Sequence, residues 1–493
     1  MEKNKRQIPV WVWINLVAAL FSVSLYVFFA SRLQTIGFPL DDAWIHQTYA
    51  RNWAETGQLA YIVGQPSAGS TAPLWTFLIS LAYRLRIDPF VWTSILGALS
   101  LALSASVLAR LANRLMPDRK NFARLIGVAC VLEWHMLWAA ASGMETMLFI
   151  ALALLVIDRS FANARAWSIG ALGGLLILTR PEGLVLMGLV AVILLTRLDH
   201  GGPKEFLIFL ITTFVVVAPG ALINVQASGT FFPNTFYAKQ QEYASLMSSA
   251  LIWLSSIGSM ISAPLAGAGF LLLPGVLVWL WVNRSSVRIK SQWVYVLPLI
   301  WIGAHIFIYA LRLPVAYQHG RYLMPIIPIG LLYGFAGISI GLDRRSGSGK
   351  AMRLIARTLI ASIAIVLIAF IPIGAAAFAT DVAIIDDEMV QVARWLSINT
   401  PPDALIAAHD IGAIGYFARR PLIDLAGLIS PEVIPIIRDE DQLGRLIETR
   451  QAAYLVTFPD WYPALLRDPQ FTPVFSGDSN FSPQHLTVYA VRR

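Results

Sequence analysis

The sequence predicts a polytopic α-helical membrane protein, with about eleven transmembrane helices plus interfacial helices, followed by a small C-terminal α/β soluble domain. Three observations carry this. Of 493 residues, 57% are hydrophobic and only 13% are charged, whereas ordinary soluble domains carry about 25% charged residues. The apolar residues fall in runs long enough to cross a bilayer core about 30 Å thick. The charge also changes sign near residue 381: residues 1–380 hold 28 bases and 14 acids, whereas residues 381–493 hold 15 acids, 9 arginines and no lysine. A nucleic-acid partner is not expected, because the bases sit in short loops between apolar runs rather than along one face. The single cysteine, Cys130, lies inside an apolar run. This leaves no intramolecular disulfide and no cysteine-based zinc site.

In chain order the expected spans are 9–30, 90–112, 122–141, 144–158, 166–179, 183–196, 204–224, 264–283, 293–311, 322–341 and 353–379. The first follows a basic stretch (Met1–Arg6) and is not followed by a small-residue cleavage site, so it reads as a retained anchor. Residues 144–158, 166–179 and 183–196 are short, which a bundle that thins the bilayer tolerates. Residues 73–87 contain Arg84 and Arg86, and residues 246–263 are serine-rich, so both read as interfacial or re-entrant helices. With a cytoplasmic N-terminus, 20 of the 28 bases before residue 381 fall on the inner side, as the positive-inside rule asks. They include Lys3, Lys5, Arg6, Arg197, Arg288, Lys290, Arg344 and Arg345. The outer side then receives residues 31–89, the turn at Arg180–Glu182, residues 225–263 and 312–321, and the tail. The chain divides into a transmembrane catalytic domain (1–380) and an extracytoplasmic α/β domain (381–493). An arginine-rich, lysine-poor tail points to a bacterial plasma membrane.

The tail is long enough to fold alone. Asp386, Asp387 and Glu388 open a helical pattern continued by Met389, Val392, Ala393 and Leu396, with acids placed to suit the helix dipole. Strands are expected at Ala404–Ala408, Pro421–Leu425, Tyr454–Thr457 and Leu486–Val491. His409 and Asp410 follow the first strand, where either a functional pair or a turn-forming Asp would sit. No phosphate-binding glycine motif is present.

The strongest local feature lies just beyond the first span. Asp41 and Asp42 are followed by Ile45, Tyr49 and Trp53 at helical spacing, an amphipathic helix on the outer interface. Asp42 could simply cap that helix, but a cap needs one carboxylate and two are present. Carboxylates near a bilayer are costly unless paired or used. The other outer segments add Ser70 and Thr71, then Glu145, then Arg180 with Glu182, then Asn234 with Lys239, then His319, Arg321 and Tyr322. Singly, each has a structural alternative: a Glu145–Arg180 ion pair, a snorkelling Lys239, a satisfied interfacial His319. Together, on one side, they describe an acidic pair beside a cationic, aromatic-rimmed pocket able to neutralise a phosphate. Glu133 and His135 lie mid-span, where they either support the pocket or pair with neighbouring helices. They are also the residues that favour the rival reading, a lipid or glycan transporter or flippase.

These motifs resemble the GT-C glycosyltransferases. Pro39-Leu40-Asp41-Asp42-Ala43-Trp44-Ile45 is similar to the acidic motif of that superfamily's first outer loop. Gly143-Met144-Glu145-Thr146, Arg180-Pro181-Glu182, Pro233-Asn234-Thr235 with Ala238-Lys239, and Gly320-Arg321-Tyr322 resemble a subgroup near terminal arabinofuranosyltransferases. Protein O-mannosyltransferases and the aminoarabinose transferase of lipid A are more distant in resemblance. The resemblance implies an inverting transfer of a sugar from a polyprenyl-phosphate donor to the hydroxyl of a glycan, lipid or protein acceptor. Asp41 would be the general base and Asp42 would orient the acceptor or the base. Arg180, Lys239, His319 and Arg321 would stabilise the departing phosphate. No cofactor is required; a divalent cation at Asp41 and Asp42 is the one that the resemblance leaves room for.

Overall fold

The computed structural model describes residues 9–33, 35–196, 202–285, 292–343 and 349–492. The basic side chains at positions 3, 5, 6, 197, 288, 290, 344 and 345, expected on the inner side, lie outside the described residues.

Each expected apolar run is helical. The helices are α1 (Val10–Leu33), α2 (Asp41–Thr56), α3 (Pro73–Leu85), α4 (Pro89–Leu115), α5 (Lys120–Leu132), α6 (Trp134–Ala141), α7 (Thr146–Phe161), α8 (Ala166–Thr179), α9 (Gly183–Thr196) and α10 (Gly202–Ser228). They continue with α11 (Asn234–Glu242), α12 (Ala250–Ser262), α13 (Gly269–Val282), α14 (Trp293–Arg312), the single turn α15 (Tyr317–Gly320), α16 (Ile327–Leu342), α17 (Lys350–Ile384), α18 (Gln391–Asn399) and α19 (Glu440–Thr449). Among the described residues, six helices are long and apolar enough to cross a membrane, or up to eight if each of two bent pairs counts as one span. The chain is therefore a multi-pass membrane protein.

The first of the two bent pairs has a local cause. Residues 122–141, expected as one span, break at Glu133, whose backbone is extended (φ −70°, ψ 121°), and α5 and α6 meet at 53°. The Glu133 carboxylate accepts the Met136 amide at 3.0 Å and so caps α6. The second pair joins α12, with its 3-10 extension to Leu265, to α13 at 94°.

The passage into the C-terminal domain differs from expectation. Asp386, Asp387 and Glu388 do not begin a helix; α17 runs through a π-helical turn at Ile385–Val390 directly into α18, so residues Lys350–Asn399 are continuous. The buried Glu388 carboxylate instead accepts the amides of Ser479 (3.0 Å) and Leu486 (2.7 Å) and the His485 Nδ1 (2.8 Å). The acids tie the domain to the helix that carries it.

The domain holds a five-stranded sheet in the order β2-β1-β3-β5-β4. Its strands are β1 (Ile406–Ala408), β2 (Leu422–Asp424), β3 (Tyr454–Thr457), β4 (Phe471–Ser476) and β5 (Thr487–Val491). β1 pairs parallel with β2 and β3, while β5 pairs antiparallel with β3 and β4. Side chains alternate across a strand. Ala407 and Leu455 therefore face a core with Leu443 and Ile447 of α19. Ile406, Ala408, Val456 and Val488 face a second core shared with Val392 and Leu396 of α18 and with Ile45 and Tyr49 of α2. The second core places the domain directly over the helix that begins with the acidic pair.

Candidate active site

Leu40, not Asp42, occupies the N-cap of α2, so Asp41 and Asp42 stand in its first turn with their side chains free for other partners. The two carboxylates diverge. Asp41 turns to the C-terminal domain and accepts the amides of Gly412 (2.6 Å) and Ala413 (2.8 Å). The approach requires glycine, since a Cβ at Gly412 would lie 2.0 Å from the Asp41 carbonyl oxygen. Asp42 turns to the bundle. Its Oδ2 accepts Arg321 Nη2 at 2.5 Å and lies 3.8 Å from Lys239 Nζ. Tyr322 Oη accepts both Lys239 Nζ and Arg321 Nη2 at 3.1 Å.

A second layer surrounds Arg180, which stands between two short apolar helices. It donates to Glu145 Oε1 (2.8 Å), Glu182 Oε2 (3.4 Å) and Tyr309 Oη (3.0 Å). Tyr309 donates to Glu182 Oε1 at 2.5 Å, and His46 Nε2 lies 3.2 Å from Glu145. Arg312 donates to the Phe236 carbonyl (3.0 Å) with its guanidinium 3.3 Å from the Phe236 ring centre. These groups enclose a cavity of about 110 Å³, which is also lined by Thr71, Thr235 and Leu428.

The polar satisfaction is uneven. Arg321 is 5% exposed, yet its Nε and Nη1 are buried without a hydrogen-bond partner among the described residues, as is His46 Nδ1. Buried donors normally find acceptors; these nitrogens find none among the described residues. The electrostatics divide the acidic pair. Burial pushes the Asp41 carboxyl up to about 8, helped by neighbouring Asp410 and opposed by the two amides. Burial also acts to raise Asp42, but Lys239 and Arg321 outweigh it and hold the group below the usual carboxylate range. Lys239 is raised despite burial, by Tyr322 and Asp42.

Of the residues expected at the site, Asp42, Thr71, Glu145, Arg180, Glu182, Lys239, Arg321 and Tyr322 line the cavity. Four of the expected residues are not among those lining the cavity. Asp41 is beside the lining but faces Gly412. The Ser70 hydroxyl pairs with Thr76 (3.1 Å), and Asn234 donates to the Leu428 carbonyl (3.1 Å). His319 turns away to Asp381 (2.8 Å). His46, Tyr309 and Arg312 line the cavity too and are not among the expected residues. His46 follows Asp42 by one helical turn, and that spacing was the available signal; Tyr309 and Arg312 sit at the end of an apolar run and gave none.

The acidic pair fits a divalent cation poorly. Asp41 is filled by amides, and Asp42 is held by two cationic side chains that a metal would have to displace. Among the described residues no cluster of three or more His, Cys, Asp or Glu is placed to hold a metal.

A family model described as a domain of unknown function, DUF8728, matches residues 380–489. No curated protein matches the sequence. Among solved structures, ArnT from Cupriavidus metallidurans bound to undecaprenyl phosphate is similar over 97% of this chain and 98% of its own, at 16% identity and a TM-score of 0.63. The apo oligosaccharyltransferase of Archaeoglobus fulgidus is similar over 100% of this chain and 75% of its own, at 13% identity and a TM-score of 0.60. The same organism's AglB, in complex with an inhibitory peptide and a dolichol-phosphate, gives 12% identity over 98% and 74%, with a TM-score of 0.59. The chain has the fold of the GT-C membrane glycosyltransferases.

Proposed function

We propose that the chain is a glycosyltransferase that moves a sugar from a polyprenyl-phosphate donor to an acceptor hydroxyl, with inversion, on the extracytoplasmic face of a bacterial plasma membrane. The observation that carries it is the buried Arg321, whose Nε and Nη1 have no partner among the described residues, at a cavity that Arg321 and Lys239 both line. A guanidinium presents a fork that matches phosphate oxygens. The lipid-phosphate carriers bound by the ArnT and AglB neighbours support the same ligand class.

In this reading the acceptor oxygen bonds to the anomeric carbon as the bond from that carbon to the phosphate oxygen breaks. The electron pair leaves with the polyprenyl phosphate. Arg321, Lys239 and Arg180 stabilise the charge that develops there. The acceptor proton passes to Asp41, whose raised proton affinity suits a base working near neutrality. Its two oxygens accept one amide each, and a carboxylate has about four lone-pair sites. Asp42 orients the acceptor. A second reading exchanges the two roles, because Asp42 is the one that lines the cavity: donor phosphate would draw Arg321 and Lys239 away and free Asp42 to act as the base. Transport is less well supported, because Glu133 and His135 are engaged with each other, the Met136 amide and the Ala263 carbonyl.

The test uses the full chain in detergent. Undecaprenyl phosphate should bind, and sugar transfer from undecaprenyl-phosphate sugars should fall when Asp41→Asn or Asp42→Asn is introduced. No binding, or full turnover in both folded variants, would overturn the assignment.

A further inference from the structure

We propose that His319 and Asp381 are positioning residues, which clamp the backbone turn that presents Arg321 to the donor phosphate. The proposal rests on the phosphate role of Arg321 given above. Gln318, His319 and Gly320 precede it with φ of 49°, 59° and 72°. Left-handed backbone is unfavourable for residues with a Cβ, and such strain persists only where the surroundings over-determine it. Here two supports do so.

One support holds the side chain. His319 Nε2 donates to Asp381 Oδ2 at 2.8 Å, and the same oxygen accepts Trp138 Nε1 at 2.8 Å. The imidazole lies edge-on between Trp134 and Trp138, with ring centres 5.2 and 5.3 Å away. The other support holds the backbone. A Cβ at Gly320 would come within 2.6 Å of the Ala263 Cβ, so the turn lies hard against Ala263–Pro264. His135 holds the Ala263 carbonyl at 3.1 Å and is itself fixed to Glu133 Oε1 at 2.7 Å.

The turn is thus seated on Ala263–Pro264, which His135 of α6 holds, and bolted to α17, and Arg321 leaves it to reach Asp42. Neither His319 nor Asp381 lines the cavity, so their effect must pass through Arg321.

Undecaprenyl phosphate affinity of the full chain is the readout. His319→Gly removes the ring while allowing the left-handed backbone, so it should fold with a Tm near that of the parent; His319→Ala keeps the backbone strain and should lower it. Both should weaken binding about tenfold, as should Asp381→Ala. In an Arg321→Lys background, itself weakened, His319→Gly should add no further loss, because non-additivity marks residues acting through one another. A merely structural role would give equal losses in both backgrounds. Parent-like affinity in His319→Gly, or fully additive losses, would overturn the proposal. An Arg321→Lys variant that binds as the parent does would instead remove the phosphate assignment beneath it.

Discussion

Two groups of buried charges are equally out of place in a chain this apolar, and they end differently. At the Glu133 break both carboxylate oxygens and both imidazole nitrogens have partners: Oε1 on His135, Oε2 on the Met136 amide, and the second imidazole nitrogen on the Ala263 carbonyl. In the cavity, Arg321 spends one nitrogen on Asp42 and Tyr322 and leaves two without a partner among the described residues. A closed network rigidifies a bend; an open one waits for a ligand. Burial of charge alone does not separate the two groups; what differs between them is whether the buried charge keeps donors without a partner.

The largest expected effect is on the open network. Arg321→Ala should cut transfer by about 10²–10³, the loss typical of removing one group that stabilises transition-state charge. It should also weaken undecaprenyl phosphate binding with the fold kept. If binding survives and only stability falls, the cavity is as closed as the Glu133 break and the contrast disappears.

Next comes Asp41→Asn, with a loss within the about 10²–10⁴ that a general base supplies. The parent enzyme provides the sharper measurement. A base raised to about 8 must lose its proton before it can act, so kcat/KM should climb with pH across neutrality and level off above about 8. Were Asp42 the base, its depressed pKa would leave the rate flat across neutrality and falling only in acid.

Gly412→Ala should act by the same route with less force. The new Cβ would collide with the Asp41 backbone and push the two amides off its carboxylate, lowering both turnover and Tm. Parent-like turnover in this variant would mean that the C-terminal domain does not set Asp41.

Which parts of this were legible in the sequence follows from the range of the forces involved. The helices were, because each is written as a continuous apolar run. The meeting of Asp42, Lys239 and Arg321 was, because all three stand in polar segments between apolar runs. The fate of Asp41 was not: its partners lie 371 and 372 residues away and depend on how the sheet docks on α2. The left-handed backbone at His319 leaves no compositional trace, and a helix break at Glu133 has none of the usual Gly or Pro signal. β4 was missed because Pro473 sits inside it, at an irregularity in the register with β5, and proline argues against a strand except at edges and bulges. Edge strand β4 is such a place.

The smallest effects are expected on closed networks, and they test the contrast from the other side. Glu133→Gln leaves the α6 cap and His135 with a neutral acceptor in place of a carboxylate. About 1–3 kcal/mol of stability should go, the usual range for a weakened buried hydrogen-bond partner, visible as a lower Tm in detergent. Ser70→Ala removes only a hydroxyl pair with Thr76, about 1 kcal/mol. Because Ser70 does not line the cavity, the KM for donor should stay at the parent value. A donor KM that rises in Ser70→Ala would show that the cavity extends past Thr71 to the residue before it, so that a hydroxyl counted as spent is available to substrate.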